Sequence, residues 1–167
     1  MVVDYGSADG RTDEMTKYYK VADFVFAVTL GCDRNLEVLL PSLSVFGCKE
    51  RPDGDLLFEL VEENFEEGGT LAEFLEEDVN DLGHTCLYRV AEKYRLTVRY
   101  AEFEHVMDAE PDFRRVSAKL KWEDPYVYAA LNSMLRIAFA QAALQHSAVS
   151  LHSSTVVKDG RAYMFMG

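Results

Sequence analysis

Leu151-His152-Ser153-Ser154-Thr155-Val156-Val157-Lys158-Asp159-Gly160-Arg161-Ala162-Tyr163-Met164-Phe165-Met166-Gly167 holds two apolar runs around one polar tetrapeptide. Asp159-Gly160 between such runs is a strong hairpin signal, because both central residues of a type I′ turn take positive φ. The run from Ala162 to Met166 carries no charge, which suits a strand covered on both faces, and it leads directly to Gly167.

Immediately upstream lies the longest apolar segment of the chain. Asp124-Pro125 reads as a helix start, an N-cap acceptor followed by proline at the first helical position. From Tyr126 to Gln145 the residues are nearly all apolar or small, and Arg136 is the only charge. Val127, Leu131, Met134, Leu135, Ala138 and Ala142 trace the main face, widened by Tyr128, Ile137 and Phe139. The simplest reading is the core helix of a domain whose sheet begins near Val149.

A buried strand ending on glycine is also how a phosphate-binding loop of the form G-x-x-x-x-G-K-[ST] begins, with Gly167 as its first glycine. Over residues 124–167 the chain resembles the segment before that loop in HPr kinase/phosphorylase-like proteins, relatives of phosphoenolpyruvate carboxykinase. The matching features are the helix with Ala129-Ala130-Leu131-Asn132-Ser133-Met134-Leu135, the strand opening Leu151-His152-Ser153-Ser154, and the apolar strand Ala162 to Gly167. The resemblance implies a P-loop phosphotransferase that uses ATP and Mg2+ and phosphorylates a hydroxyl, a serine in particular, of a protein or small molecule. It places His152 near the nucleotide phosphates and Gly167 at the start of the loop. From the residues alone, His152 reads first as a histidine hydrogen-bonded within a sheet, and only the resemblance brings the phosphate-site reading level with it.

The rest of that apparatus is absent from residues 1–167. There is no lysine for the β/γ oxygens, no Ser/Thr placed for magnesium, and no downstream acid for metal and base work. The chain as it stands is therefore expected neither to bind ATP tightly nor to transfer phosphate, and no catalytic residue is assigned within it. Ser153, Ser154 and Thr155 lack a G-x-S-x-G setting and read as sheet hydroxyls.

Composition narrows the remaining classes. An apolar fraction of 49% and an aromatic fraction of 12% over 167 residues fit a packed core. No uninterrupted apolar run reaches membrane-spanning length, and no basic region with an apolar core opens the chain, so neither a transmembrane segment nor a secretory signal is expected. Cys32, Cys48 and Cys86 lie far apart without a C-x-x-C, as expected for reduced thiols of a cytoplasmic protein. The net charge is −12, and its excess lies entirely upstream of Glu123. Glu62, Glu63, Glu66, Glu67, Glu73, Glu76, Glu77 and Asp78 occur in a stretch without a base. Such a surface repels nucleic acid and anionic lipid, so neither is an expected partner. No metal ligand is assigned: the calcium-loop spacing is absent, and His84, His105 and His146 show no paired ligand spacing.

The upstream chain reads as follows. Residues 1–14 form a polar tail, and Met15 is an expected natural start. Tyr19 to Leu30 reads as a strand, Asn35 to Leu40 as a short helix stopped by Pro41, and Leu56 to Glu62 as a strand. Thr70 and Glu73 form a capping-box pattern that predicts a short acidic helix with Leu71, Phe74 and Leu75 on one face. Cys86–Ala91, Arg95–Phe103 and Phe113–Trp122 read as antiparallel strands. The expected class is α+β: a β-rich antiparallel accessory domain over 15–122, then, over 123–167, one long apolar helix and a β-hairpin beginning an incomplete P-loop kinase core.

Two other readings stand beside the phosphotransferase. One is a self-contained α+β interaction module whose acidic face meets a basic partner; the other is a homologue that binds nucleotide without catalysis. Left without neighbours, the apolar strand Ala162–Met166 favours self-association. Light scattering of the isolated chain is expected to show oligomers or aggregates, and a stable monomer at high concentration would refute this.

Overall fold

The computed structural model describes residues 14–31, 34–65, 72–80, 83–151 and 154–165. It is α+β and built mostly of strands. Nine of them form one sheet: β1 (Glu14–Val21), β2 (Phe24–Gly31), β3 (Gly47–Cys48), β4 (Phe58–Glu62), β5 (Ala72–Asn80), β6 (Gly83–Val90), β7 (Lys93–Tyr100), β8 (Phe103–Ala109) and β9 (Arg115–Lys119). The order across the sheet is β3-β1-β2-β4-β9-β8-β7-β6-β5. Helix α1 (Leu36–Leu39) and a 3-10 turn (Pro41–Phe46) lie between β2 and β3, helix α2 (Val127–Leu144) follows β9, and β10 (Ser154–Lys158) and β11 (Arg161–Phe165) form a separate hairpin.

The expected antiparallel pattern holds for β5 through β9, which run as a meander, and for β1 with β2 and β3. It fails at the centre, where β2 pairs with β4 and β4 with β9 in parallel. Strand direction leaves no mark in residue alternation, so those parallel pairings were not legible.

Two further corrections concern local structure. The strand expected over Tyr19–Leu30 is a hairpin broken at Ala22-Asp23, with Val21 opposite Phe24. The same device recurs at Ala91-Glu92 and Ala101-Glu102, and Ala22, Ala91 and Ala101 have φ of 53°, 53° and 48°. Alanine in the left-handed region costs about 1–2 kcal/mol, which is why these turns carry no conventional sequence signal. The acidic helix predicted from the capping box is instead β5, antiparallel to β6 with a register shift between Phe74 and Glu76; Thr70 and Leu71 lie outside the described residues. Pairing with β6 gives the β5 backbone its hydrogen-bond partners, and this tertiary gain outweighs helix propensity.

Both sheet edges resist further pairing. β3 has two residues, and β5 presents exposed Glu73, Glu76, Glu77 and Asp78. Asn35, expected as the first residue of the short helix, is instead the N-cap of α1, its Oδ1 accepting from the Glu37 and Val38 amides at 3.0 and 3.4 Å.

One face of the sheet carries the core. Phe26, Val28 and Leu30 of β2, Phe58 and Leu60 of β4, Val116 and Ala118 of β9, and Leu96, Val98, Met107 and Ala109 of β7 and β8 are buried in one cluster with α2. The helix contributes Val127, Ala130, Leu131, Met134, Leu135, Ala138 and Ala142, the face expected from periodicity. Ala130 and Ala138, with no exposed surface, let the helix axis approach the strands closely. Each fully buried leucine or phenylalanine here contributes about 1.5–3 kcal/mol. By length and a mean hydropathy of 1.2, α2 is also apolar enough to cross a membrane, but its buried face belongs to this core.

The β5–β6 hairpin depends on one glycine. Gly83 has φ of +121°, and a Cβ there would lie 2.6 Å from the Arg99 carbonyl oxygen, a backbone atom that cannot swing aside. Gly83→Ala is expected to cost about 1–3 kcal/mol in urea unfolding; wild-type stability for that variant would contradict the hairpin's close approach to β7.

Candidate functional site

The hairpin expected ahead of the phosphate loop is present. Strands β10 and β11 pair antiparallel from Ser154 with Phe165 to Lys158 with Arg161. Asp159 and Gly160 have φ of 51° and 70°, the two positive values a type I′ turn requires. Val156, Val157, Ala162 and Met164 are exposed, however, so the face of β11 that bears Ala162 and Met164 is not covered here. His152 and Gly167, the two expected nucleotide-binding residues, lie outside the described residues, as do Ser153 and Met166.

A second constellation stands at the far edge of the sheet. His84 and Cys86 are alternate residues of β6 and so share one face. Glu77 of β5 is directly opposite Cys86 and diagonal to His84, which brings all three side chains together. His84 Nε2 lies 3.2 Å from Glu77 Oε2 and 3.2 Å from Cys86 Sγ. The three donor atoms lie within 4.8 Å of one another. Cys86 is buried, whereas the His84 and Glu77 side chains reach solvent. Tyr88 is next on the same face, and its phenol is held above its ordinary pKa chiefly by its interaction with the Cys86 side chain. Arg99, opposite His84 on β7, is engaged by Glu104 at 2.5 Å, which raises the guanidinium pKa. The expectation that His84 has no ligand partner rested on separation in the chain. The missed signal is His-x-Cys on a strand, but Glu77 is recruited only by the hairpin register.

His105, read from sequence as one of three unpaired histidines, is fully buried on β8. The Lys121 amide donates to its Nδ1 at 3.2 Å, so that nitrogen carries no hydrogen. Nε2 therefore holds the proton and donates to Asp124 Oδ2 at 2.8 Å. The other carboxylate oxygen accepts from the Tyr126 amide at 2.8 Å. Asp124 thus accepts from the amide two residues on, as expected of the cap acceptor, while the regular turns of α2 begin later, at Val127. Both residues are buried and their side-chain polar atoms are hydrogen-bonded, so this pair anchors the helix start to the sheet.

Glu62 plays a similar tying part at the end of β4. It accepts from the Gly31 amide at 3.1 Å through Oε2 and from the Trp122 indole through Oε1, while the Arg34 guanidinium lies 4.1 Å over the Trp122 ring. Beside α2 runs an open cleft of about 690 Å3 walled by Phe26, Leu43, Phe46, Phe139 and Arg136. Its polar groups, including Asn132, Ser133 and Tyr100, do not form a nucleophile and base pair.

Comparison with protein-family models, curated proteins and solved structures returned no significant match.

Removing one member of the buried His105–Asp124 pair strands the other in an apolar core. His105→Ala is expected to cost about 3–5 kcal/mol in denaturant unfolding, with a large coupling to Asp124→Asn in a double-mutant cycle. Additive losses would show that the two groups do not act as a pair.

Proposed function

We propose that the chain contributes the accessory domain and the opening of the ATP-binding domain of an HPr kinase-like phosphotransferase. In this reading a hydroxyl-bearing protein or small molecule, with serine as the acceptor, is phosphorylated from ATP with Mg2+ in the cytoplasm. The observation that carries it is the β10–β11 hairpin. Its turn has the type I′ geometry, it follows an apolar helix, and its valine-, alanine- and methionine-bearing faces are open, as suits strands built to continue a sheet. Gly167 then opens the phosphate loop and His152 reaches the phosphates from the neighbouring strand. The loop's backbone amides supply the cradle, magnesium neutralises developing charge, and His152 donates to a phosphate oxygen.

The test begins with the gene beyond Gly167, where x-x-x-x-G-K-[ST] is expected. The complete protein should transfer the γ-phosphoryl of labelled ATP to serine, and His152→Ala should lower kcat by about 100-fold. ATP binding without transfer would leave a non-catalytic nucleotide-binding protein. A stop codon after Gly167 would sink both nucleotide readings. It would favour an interaction module, for which the exposed carboxylates of β5 offer an acidic edge to a basic partner.

A further inference from the structure

We infer that Glu77, His84 and Cys86 form a binding site for a thiophilic divalent cation, Zn2+ foremost, at the β5–β6 edge of the sheet. The site is independent of the proposed nucleotide chemistry and draws on none of its residues.

The argument starts from a single nitrogen with two neighbours. His84 Nε2 has Glu77 Oε2 and Cys86 Sγ each at 3.2 Å. One ring hydrogen can be aimed well at only one of them. If Nε2 is instead bare, it can accept from the Cys86 thiol, but its lone pair then faces the Glu77 carboxylate. A cation inside the triangle removes the conflict, because all three atoms then direct lone pairs at it. Ligands around a tetrahedral Zn2+ with ordinary bond lengths lie about 3.4–3.6 Å apart, a few tenths of an ångström from the two separations at His84, and all three donor atoms lie within 4.8 Å of one another.

Ligand type selects the metal. A thiolate, an imidazole and a carboxylate suit Zn2+ and its late first-row neighbours, whereas Mg2+ and Ca2+ prefer oxygen alone. The charges balance: Glu77 and the Cys86 thiolate supply two negatives against the dication, with His84 neutral. Arg99, opposite His84, is already neutralised by Glu104. With three protein ligands and the Glu77 and His84 side chains reaching solvent, the fourth position falls to water. Glu77 and His84 flank the β5–β6 turn, so the ion also clamps the hairpin that forms the sheet's acidic edge.

The chelator-stripped chain, titrated with Zn2+ by calorimetry, should take up one ion and release the Cys86 proton into buffer. Co2+ should give a thiolate-to-metal charge-transfer band, and Zn2+ should raise the thermal midpoint. Cys86→Ser should abolish the cobalt band. It and His84→Gln should each weaken Zn2+ binding by more than the ~10–100-fold typical of losing a supporting group. His146→Gln, at an exposed histidine outside the cluster, should change nothing. Circular dichroism checks folding, and His84→Gln carries the test should Cys86→Ser unfold. The inference is overturned if the wild type gives no cobalt charge-transfer band, if either ligand variant holds Zn2+ as tightly as wild type, or if Mg2+ competes equally with Zn2+. ATP binding and phosphoryl transfer do not enter these readouts, so the outcome stands apart from the kinase proposal.

Discussion

Burial of the α2 face against the central strands is the contact on which the rest of the structure depends. β2, β4 and β9 run parallel and side by side, and parallel strands are stable only where their faces are covered. The helix covers one face with small and branched residues, and Phe26 links the layers: it stacks on Phe58 at 4.9 Å and meets Phe139 of α2 edge-on at 5.9 Å. Phe26 also stacks on Tyr19 of β1, and burial pushes the Tyr19 phenol above its ordinary pKa. One aromatic column therefore joins the first hairpin, the parallel centre and the helix.

Packing alone leaves the helix free to slide along the sheet. The His105–Asp124 pair fixes its start, because a buried carboxylate and imidazole have one favourable geometry, whereas apolar contacts tolerate several. Glu62 performs the matching task at the end of β4 by joining β2 to the segment that follows β9. These polar ties are few. They lie where chain segments enter or leave the core, the places where hydrophobic burial specifies position least. On the opposite face of β7 and β8, Arg95 makes two 2.7 Å bonds to Asp108.

The meander β5–β9 is the part of the sheet farthest from α1 and the first hairpin, and it ends in an acidic strand. That strand joins two properties. Its exposed carboxylates discourage edge-to-edge association, and one of them, Glu77, faces a histidine and a thiol across the hairpin. The chemistry of the edge therefore differs from that of the β10–β11 hairpin, where apolar side chains are exposed and charges are confined to the turn.

What the sequence determined by itself was local. Asp159-Gly160 specified its hairpin because two positive φ values are a property of two residues. Pro41 bounded α1 because a missing amide acts within one turn, and the buried face of α2 followed from the 3.6-residue period. Only tertiary structure decided the rest. It turned a capping-box segment into β5, ran β4 parallel to its neighbours, buried His105, and brought Glu77 beside His84 and Cys86. Each of these depends on register or contact between segments whose separation in the chain carries no periodic signal, so the energy that selects them arises only when the sheet is assembled.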